Sequence, residues 1–89
     1  MEIAFKSGYS TTGISRTRAC RGRVTLELRN GKRVLVKRAV RLDRRCRYAT
    51  TFRVERTRIG SAKRLTVIAR FHGNGYLGAT SNRFTVKVP

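Results

Sequence analysis

Apolar and polar residues alternate along most of this chain. Val24, Leu26 and Leu28 are separated by Thr25 and Glu27. A second run places Val34, Val36, Val40 and Leu42 on one parity, and a third does the same with Cys46, Tyr48, Phe52 and Val54. The parity then switches to odd numbers in Leu65, Val67, Ala69 and Phe71, and returns to even in Phe84, Val86 and Val88. A period of two is the mark of a strand that buries one face and wets the other. Ile3 and Phe5 form a shorter candidate first strand, and residues 7–19, rich in Ser, Thr and Gly, read as a loop or a broken edge strand. No helical period of comparable length competes. Val, Ile, Thr, Phe and Tyr together make 29 of the 89 residues, which strengthens the strand assignment.

Asn30-Gly31 is the strongest turn signal, and it joins two of the alternating runs into a hairpin. A two-residue loop at Asn30-Gly31 places Leu26 opposite Leu35 and Val24 opposite Lys37. A three-residue loop over 29–31 places Leu26 opposite Val34, Val24 opposite Val36 and Cys20 opposite Val40. A half-buried hairpin needs one apolar face, so the pattern favours the three-residue loop. Arg38 then points inward opposite Gly22, with its head reaching back to water. Five strong strands and one or two weak ones predict an all-β domain of about seven strands. Wet, arginine-bearing outer faces favour a two-sheet β-sandwich.

The charge changes the picture. Lys and Arg number 22, of which 17 are Arg, against 4 Asp and Glu, for a net charge of +18. Such a charge would suit a disordered tail, but 39% hydrophobic residues can build a core. The acids are Glu2, Glu27, Asp43 and Glu55, and the single histidine is His72. Acid–base catalysis needs a positioned pair of tuned groups, and a zinc site needs about four clustered ligands. The expectation is therefore a protein that is not an enzyme and takes no metal or cofactor. His72 is expected on a surface loop, and Gly73, Gly75 and Gly78 are expected to serve turns. Tyr76 is placed to tuck its hydroxyl under the final bend.

Cys20 and Cys46 are candidates for a structural disulfide, with buried free thiols or a redox or metal pair as the alternatives. If the strand after Cys46 simply continued the same sheet, the 33–42 strand would hold the two cysteines about 9–10 Å apart, too far to bridge. A bridge therefore requires that strand to cross to the other sheet, or a local bend. A disulfide implies an oxidising compartment. No run of about 18 apolar residues is present, so no membrane-spanning helix is expected. The first residues carry no basic head and apolar stretch, so the chain is either intracellular or part of a longer exported protein.

The arginines fall largely on the outward parity. Arg21, Arg23, Arg33, Arg41, Arg45, Arg47 and Arg53 are the candidate contacts for a polyanion. Arg64 and Arg70 face outward on the opposite number parity. A compositional preference for arginine on a merely solvated face is the alternative. Salt-sensitive, nonspecific polyanion binding in vitro follows from the charge alone. Few aromatics are free to stack on bases, and no recognition helix or zinc finger is visible.

The C-terminal third runs Leu65-Thr66-Val67-Ile68-Ala69-Arg70-Phe71-His72-Gly73-Asn74-Gly75-Tyr76, then a Ser/Thr-containing bend and Phe84-Thr85-Val86-Lys87-Val88. This resembles the closing motif of bacterial immunoglobulin-like repeat domains. Gly22-Arg23-Val24-Thr25-Leu26 is similar to that family's Gly-x-Val-x-aliphatic strand, with Arg29-Asn30-Gly31-Lys32 at its hairpin and Cys46 to Phe52 as the strand that follows. The resemblance covers about residues 20–88. It implies a single immunoglobulin-like sandwich over 1–89, cut from a longer secreted or cell-surface protein and serving as a structural or adhesion unit. The family shares no catalytic residues. Its members are often Thr-rich and acidic, the cysteine pair is not general among them, and Asn74 stands where an Asp is common. The expected partners are an anionic cell-envelope polymer or another protein, with the chain itself a monomer. The alternative is a small basic all-β nucleic-acid-binding protein.

Overall fold

The alternating runs all become strands. The computed structural model describes residues 1–9, 20–74 and 78–89. In chain order the elements are β1 (Glu2–Gly8), β2 (Arg23–Asn30), β3 (Arg33–Arg41), β4 (Arg47–Arg53), the one-turn helix α1 (Arg56–Ile59), β5 (Arg64–Phe71) and β6 (Thr80–Lys87). Among the described residues these six strands form two antiparallel sheets. One has the order β1-β4 and the other β3-β2-β5-β6. The chain is an all-β sandwich.

The core is built by the parities that the sequence shows in β2, β4 and β5, whereas in β3 the odd-numbered Leu35 is buried and the expected Val34, Val36 and Val40 are only half-buried. Val24, Leu26 and Leu28 from β2 meet Leu65, Val67, Ala69 and Phe71 from β5, and the small sheet adds Ile3, Tyr48 and Phe52. Phe52 is fully buried at the centre, where truncation to Ala would cost about 3–5 kcal/mol. Aromatic rings clip the two sheets together. Phe5 of β1 lies 5.1 Å from Phe84 of β6, and Tyr9 lies between Tyr48 at 5.8 Å and Phe71 at 5.3 Å. Burial, with the Tyr48 phenol beside it, pushes the Tyr9 hydroxyl up to about 12. No hydrogen bond of regular geometry reaches that hydroxyl from the described residues.

Of the two routes to a disulfide, a sheet crossing or a local bend, the chain takes the crossing. β4 leaves the edge of β3 and pairs with β1 in the other sheet, Phe52 opposite Ile3 and Tyr48 opposite Ser7. Cys46, at the start of that crossing, is bonded to Cys20 with the two Cα atoms 4.6 Å apart.

The hairpin corrects the expected register. Asn30 pairs with Arg33, so the loop is Gly31-Lys32, neither of the two arrangements that the pattern suggested. Gly31 has φ +61 while Lys32 stays negative, the φ signs of a type II′ turn with glycine first. A bulge follows, in which Leu35 is the extra residue between the Arg29–Val34 and Leu28–Val36 pairs. Beyond it Leu26 faces Arg38, Val24 faces Val40 and Gly22 faces Leu42, in place of the expected Val34, Val36 and Arg38. The extra residue keeps even numbers opposite even numbers, so the apolar face survives the changed register. Arg38 does take the inward parity, but on an edge strand it stays exposed, and its guanidinium approaches the Thr51 carbonyl at 3.5 Å. Gly22 is packed against Phe71: a Cβ at its φ of +118 would lie 2.9 Å from the ring.

Two further differences concern connections. α1 was invisible because one turn is too short to show a helical period. Residues 7–19, expected as a loop or a broken edge strand, continue β1 as far as Gly8, and residues 10–19 lie outside the described residues, as do Gly75 and Tyr76.

Candidate polyanion-binding surface

The outer face of the four-stranded sheet is a lattice of side chains about 4.8 Å apart between strands and about 6.7 Å apart along them. Its rows follow from the register. Arg41 faces Arg23. Ala39, Thr25, Arg70 and Ser81 form the next row, then Lys37, Glu27, Ile68 and Arg83. Arg29, Thr66 and Thr85 come next, and Arg64 opposite Lys87 closes the far end. Cations therefore stand on all four strands.

One carboxylate sits in their midst. Glu27 is only 7% exposed, and Ile68 beside it only 6%, although both point to the solvent side. Arg29 donates its Nε–H to Glu27 Oε2 at 2.8 Å and a second N–H to the same oxygen. Arg70 lies 3.7 Å from Oε1. The Arg29 hydrogen bond, then the charges of Arg29, Arg70 and Lys37, hold the Glu27 carboxyl below its ordinary range against the opposing effect of burial. Like charges facing each other across a sheet repel. Glu27 relieves that repulsion at the centre of the face, while the ends keep it.

The disulfide organises one of those ends. Asp43 Oδ1 accepts the backbone N–H groups of Arg45 at 2.8 Å and Arg47 at 2.9 Å, and the Asp43 N–H donates to the Arg47 carbonyl at 2.8 Å. These backbone bonds lower the Asp43 carboxyl from its ordinary value. The tight loop puts Cys46 at φ +59 and turns its sulfur toward Cys20. With the bridged Cα atoms 4.6 Å apart, the Cα atoms of Arg21 and of Arg45 or Arg47 lie within about 12 Å of one another. An open pocket of ≈ 460 Å³ lies at the same end, lined by Cys20, Arg21, Gly22, Arg23, Arg41 and Leu42.

The seven arginines expected to contact a polyanion are all exposed, but the fold divides them. Arg21, Arg23 and Arg41 meet at the pocket, with Arg45 on the adjoining loop and Arg47 at the start of β4. Arg33 lies at the other end of β3, about 27 Å from Arg41 by strand length. Arg53 is on the outer face of the small sheet, paired with Glu2 at 3.2 Å. The register adds Lys37, Arg70, Arg83, Arg64 and Lys87 to the large face. Their outward parity was a visible signal, but their neighbours were not. The burial of Glu27 and Ile68 had no signal in the pattern at all.

The backbone behind the pocket is held from the β5 side. His72 donates its N–H to the Arg23 carbonyl at 3.3 Å, and Asn74 Nδ2 donates to the Arg21 carbonyl at 2.7 Å. The His72 ring is exposed, as expected, with Nε2 2.7 Å from Thr25 Oγ1.

This is a disulfide-stapled β-sandwich with a basic outer face. Comparison with models of known protein families, with curated proteins and with solved structures finds no match.

Proposed function

We propose that this chain is a non-enzymatic, immunoglobulin-like module of a secreted or cell-surface bacterial protein, and that its basic outer face docks on an anionic envelope polymer. The observation that carries this reading is the outer face of the β3-β2-β5-β6 sheet, where cations stand on every strand and those of three strands surround a single buried carboxylate. The Cys20–Cys46 bond supports an oxidising compartment, and hence a partner outside the cytosol. No helix among the described residues is long and apolar enough to cross a membrane.

The test compares affinity for heparin, isolated anionic envelope polymer, DNA and RNA at ~150 mM salt, where surface charges are already well screened. Retention on the glycans with nucleic acids bound no more tightly is the expected result. A strong preference for DNA or RNA at this salt overturns the reading in favour of a small basic nucleic-acid-binding protein.

A further inference from the structure

We propose that the pocket beside the disulfide is a subsite for one tetrahedral oxyanion, a sulfate or phosphate group carried on an anionic glycan. The inference rests on the docking reading above and places its strongest contact.

Three observations converge on the pocket. First, Arg23 and Arg41 are directly opposite each other on β2 and β3. The Leu42 N–H donates to the Gly22 carbonyl at 3.1 Å, so 22 and 42 form a hydrogen-bonded pair and 23 and 41 the closer, non-hydrogen-bonded one. Their Cα atoms are then about 4.5 Å apart and their side chains rise side by side. Two guanidinium groups in that position repel unless an anion lies between them. Second, no carboxylate of the described residues pairs with Arg21, Arg23 or Arg41. Glu27 is taken by Arg29 and Arg70, Glu2 by Arg53, and Asp43 by backbone N–H groups. Third, the scaffold is held in advance. The Arg21 and Arg23 carbonyls are bonded to Asn74 and His72, and Cys20 is tied to Cys46. A backbone held in advance leaves only the arginine side chains to be ordered on binding.

The residue type narrows the ligand. All three cations are arginine, whose planar fork gives two parallel N–H donors to the oxygens of a sulfate or phosphate. The pocket is largely open to solvent, which suits a pendant group on a chain better than an enclosed small molecule.

The fold supplies its own control. Arg64 and Lys87 form the same kind of close pair at the far end of the face, because the Val88 N–H donates to the Lys63 carbonyl at 2.9 Å. That pair is not among the residues lining the pocket. The experiment titrates isotopically labelled protein with inorganic phosphate and with sulfate. It then measures heparin affinity at ~150 mM salt for R23Q/R41Q and R64Q/K87Q, two variants of equal charge change. Phosphate and sulfate are expected to shift the Arg21, Gly22, Arg23, Arg41 and Leu42 signals selectively. The pocket variant should lose tenfold or more in heparin affinity and the control less than threefold. Equal losses in both variants, with shifts spread over the whole face, overturn the subsite and leave the docking reading standing. A wild-type protein that fails to bind any glycan overturns both. Tighter, pocket-dependent binding of a DNA oligonucleotide than of heparin overturns the assignment to a glycan.

Discussion

The Glu27 carboxylate is buried on the solvent side of its sheet because Arg29, two residues further along the same strand, turns back and donates to it at 2.8 Å. An acid and a base on one strand thus make the central ion pair of a face that is otherwise cationic. Arg70 from β5 and Lys37 from β3 stand around the same carboxylate, so three strands share one negative charge.

That arrangement sets an acid limit on stability. The folded Glu27 carboxyl titrates below its ordinary value, so its contribution is fully present above the unfolded pKa of about 4.3. It is lost as pH falls through the lower, folded value. Asp43 shifts in the same direction and adds to the effect. Tm is expected to be flat above about pH 5 and to fall below about pH 4. E27Q should lower Tm at pH 7 by roughly 10 °C, corresponding to about 2 kcal/mol, and should shrink the difference between pH 7 and pH 3. Calorimetry across the pH range checks both.

The Cys20–Cys46 bridge closes a separation of 26 residues. Chain entropy alone then makes it worth about 3.5 kcal/mol. Native protein is expected to resist alkylation until reductant is added, as intact mass reports. C20S/C46S should melt about 15–25 °C lower. Two alkylated cysteines in untreated protein would remove the argument for an oxidising compartment.

Gly22 and Gly31 both have positive φ but differ in surroundings. An added Cβ at Gly22 meets the Phe71 ring at 2.9 Å, whereas at Gly31 nothing lies within 4 Å. G31A should cost only the strain of its positive φ, about 1–2 kcal/mol. G22A should cost about 2–3 kcal/mol, because it strains the backbone and displaces a core aromatic. Urea denaturation of the two variants separates the effects, and equal losses would mean that Phe71 yields freely.

Asn30 is the reverse of what its turn signal suggests. Its side chain does not serve the turn; Nδ2 donates to the Ile59 carbonyl at 3.1 Å and ties the hairpin to α1. N30A should cost about 1 kcal/mol. It should also speed amide exchange in residues 56–62 more than in the hairpin, as measured by hydrogen exchange.

Much of the architecture was legible. The even and odd apolar runs name the buried positions of β2, β4 and β5, because a two-residue period leaves no choice of face. A bond between the cysteines required the chain to change sheets or bend locally between β3 and β4, and it changes sheets. The hairpin register was not legible. Asn30 has a partner 29 residues away, and one extra residue at Leu35 leaves the apolar parity unchanged, so the pattern cannot distinguish the alternatives. The binding surface was half legible. Outward parity marked the arginines, but which of them are neighbours depends on β5 lying between β2 and β6.

By itself, then, the sequence determined an all-β chain, the face that β2, β4 and β5 bury, the cysteine pair that could staple it and the sign of its surface. These follow from local periodicity and composition. Strand order, the bulge, the burial of Glu27 and Ile68, and the meeting of Arg21, Arg23 and Arg41 beside the disulfide were decided only in the tertiary structure. Each is a contact between segments far apart in the chain, and its energy depends on packing and charge that no local pattern encodes.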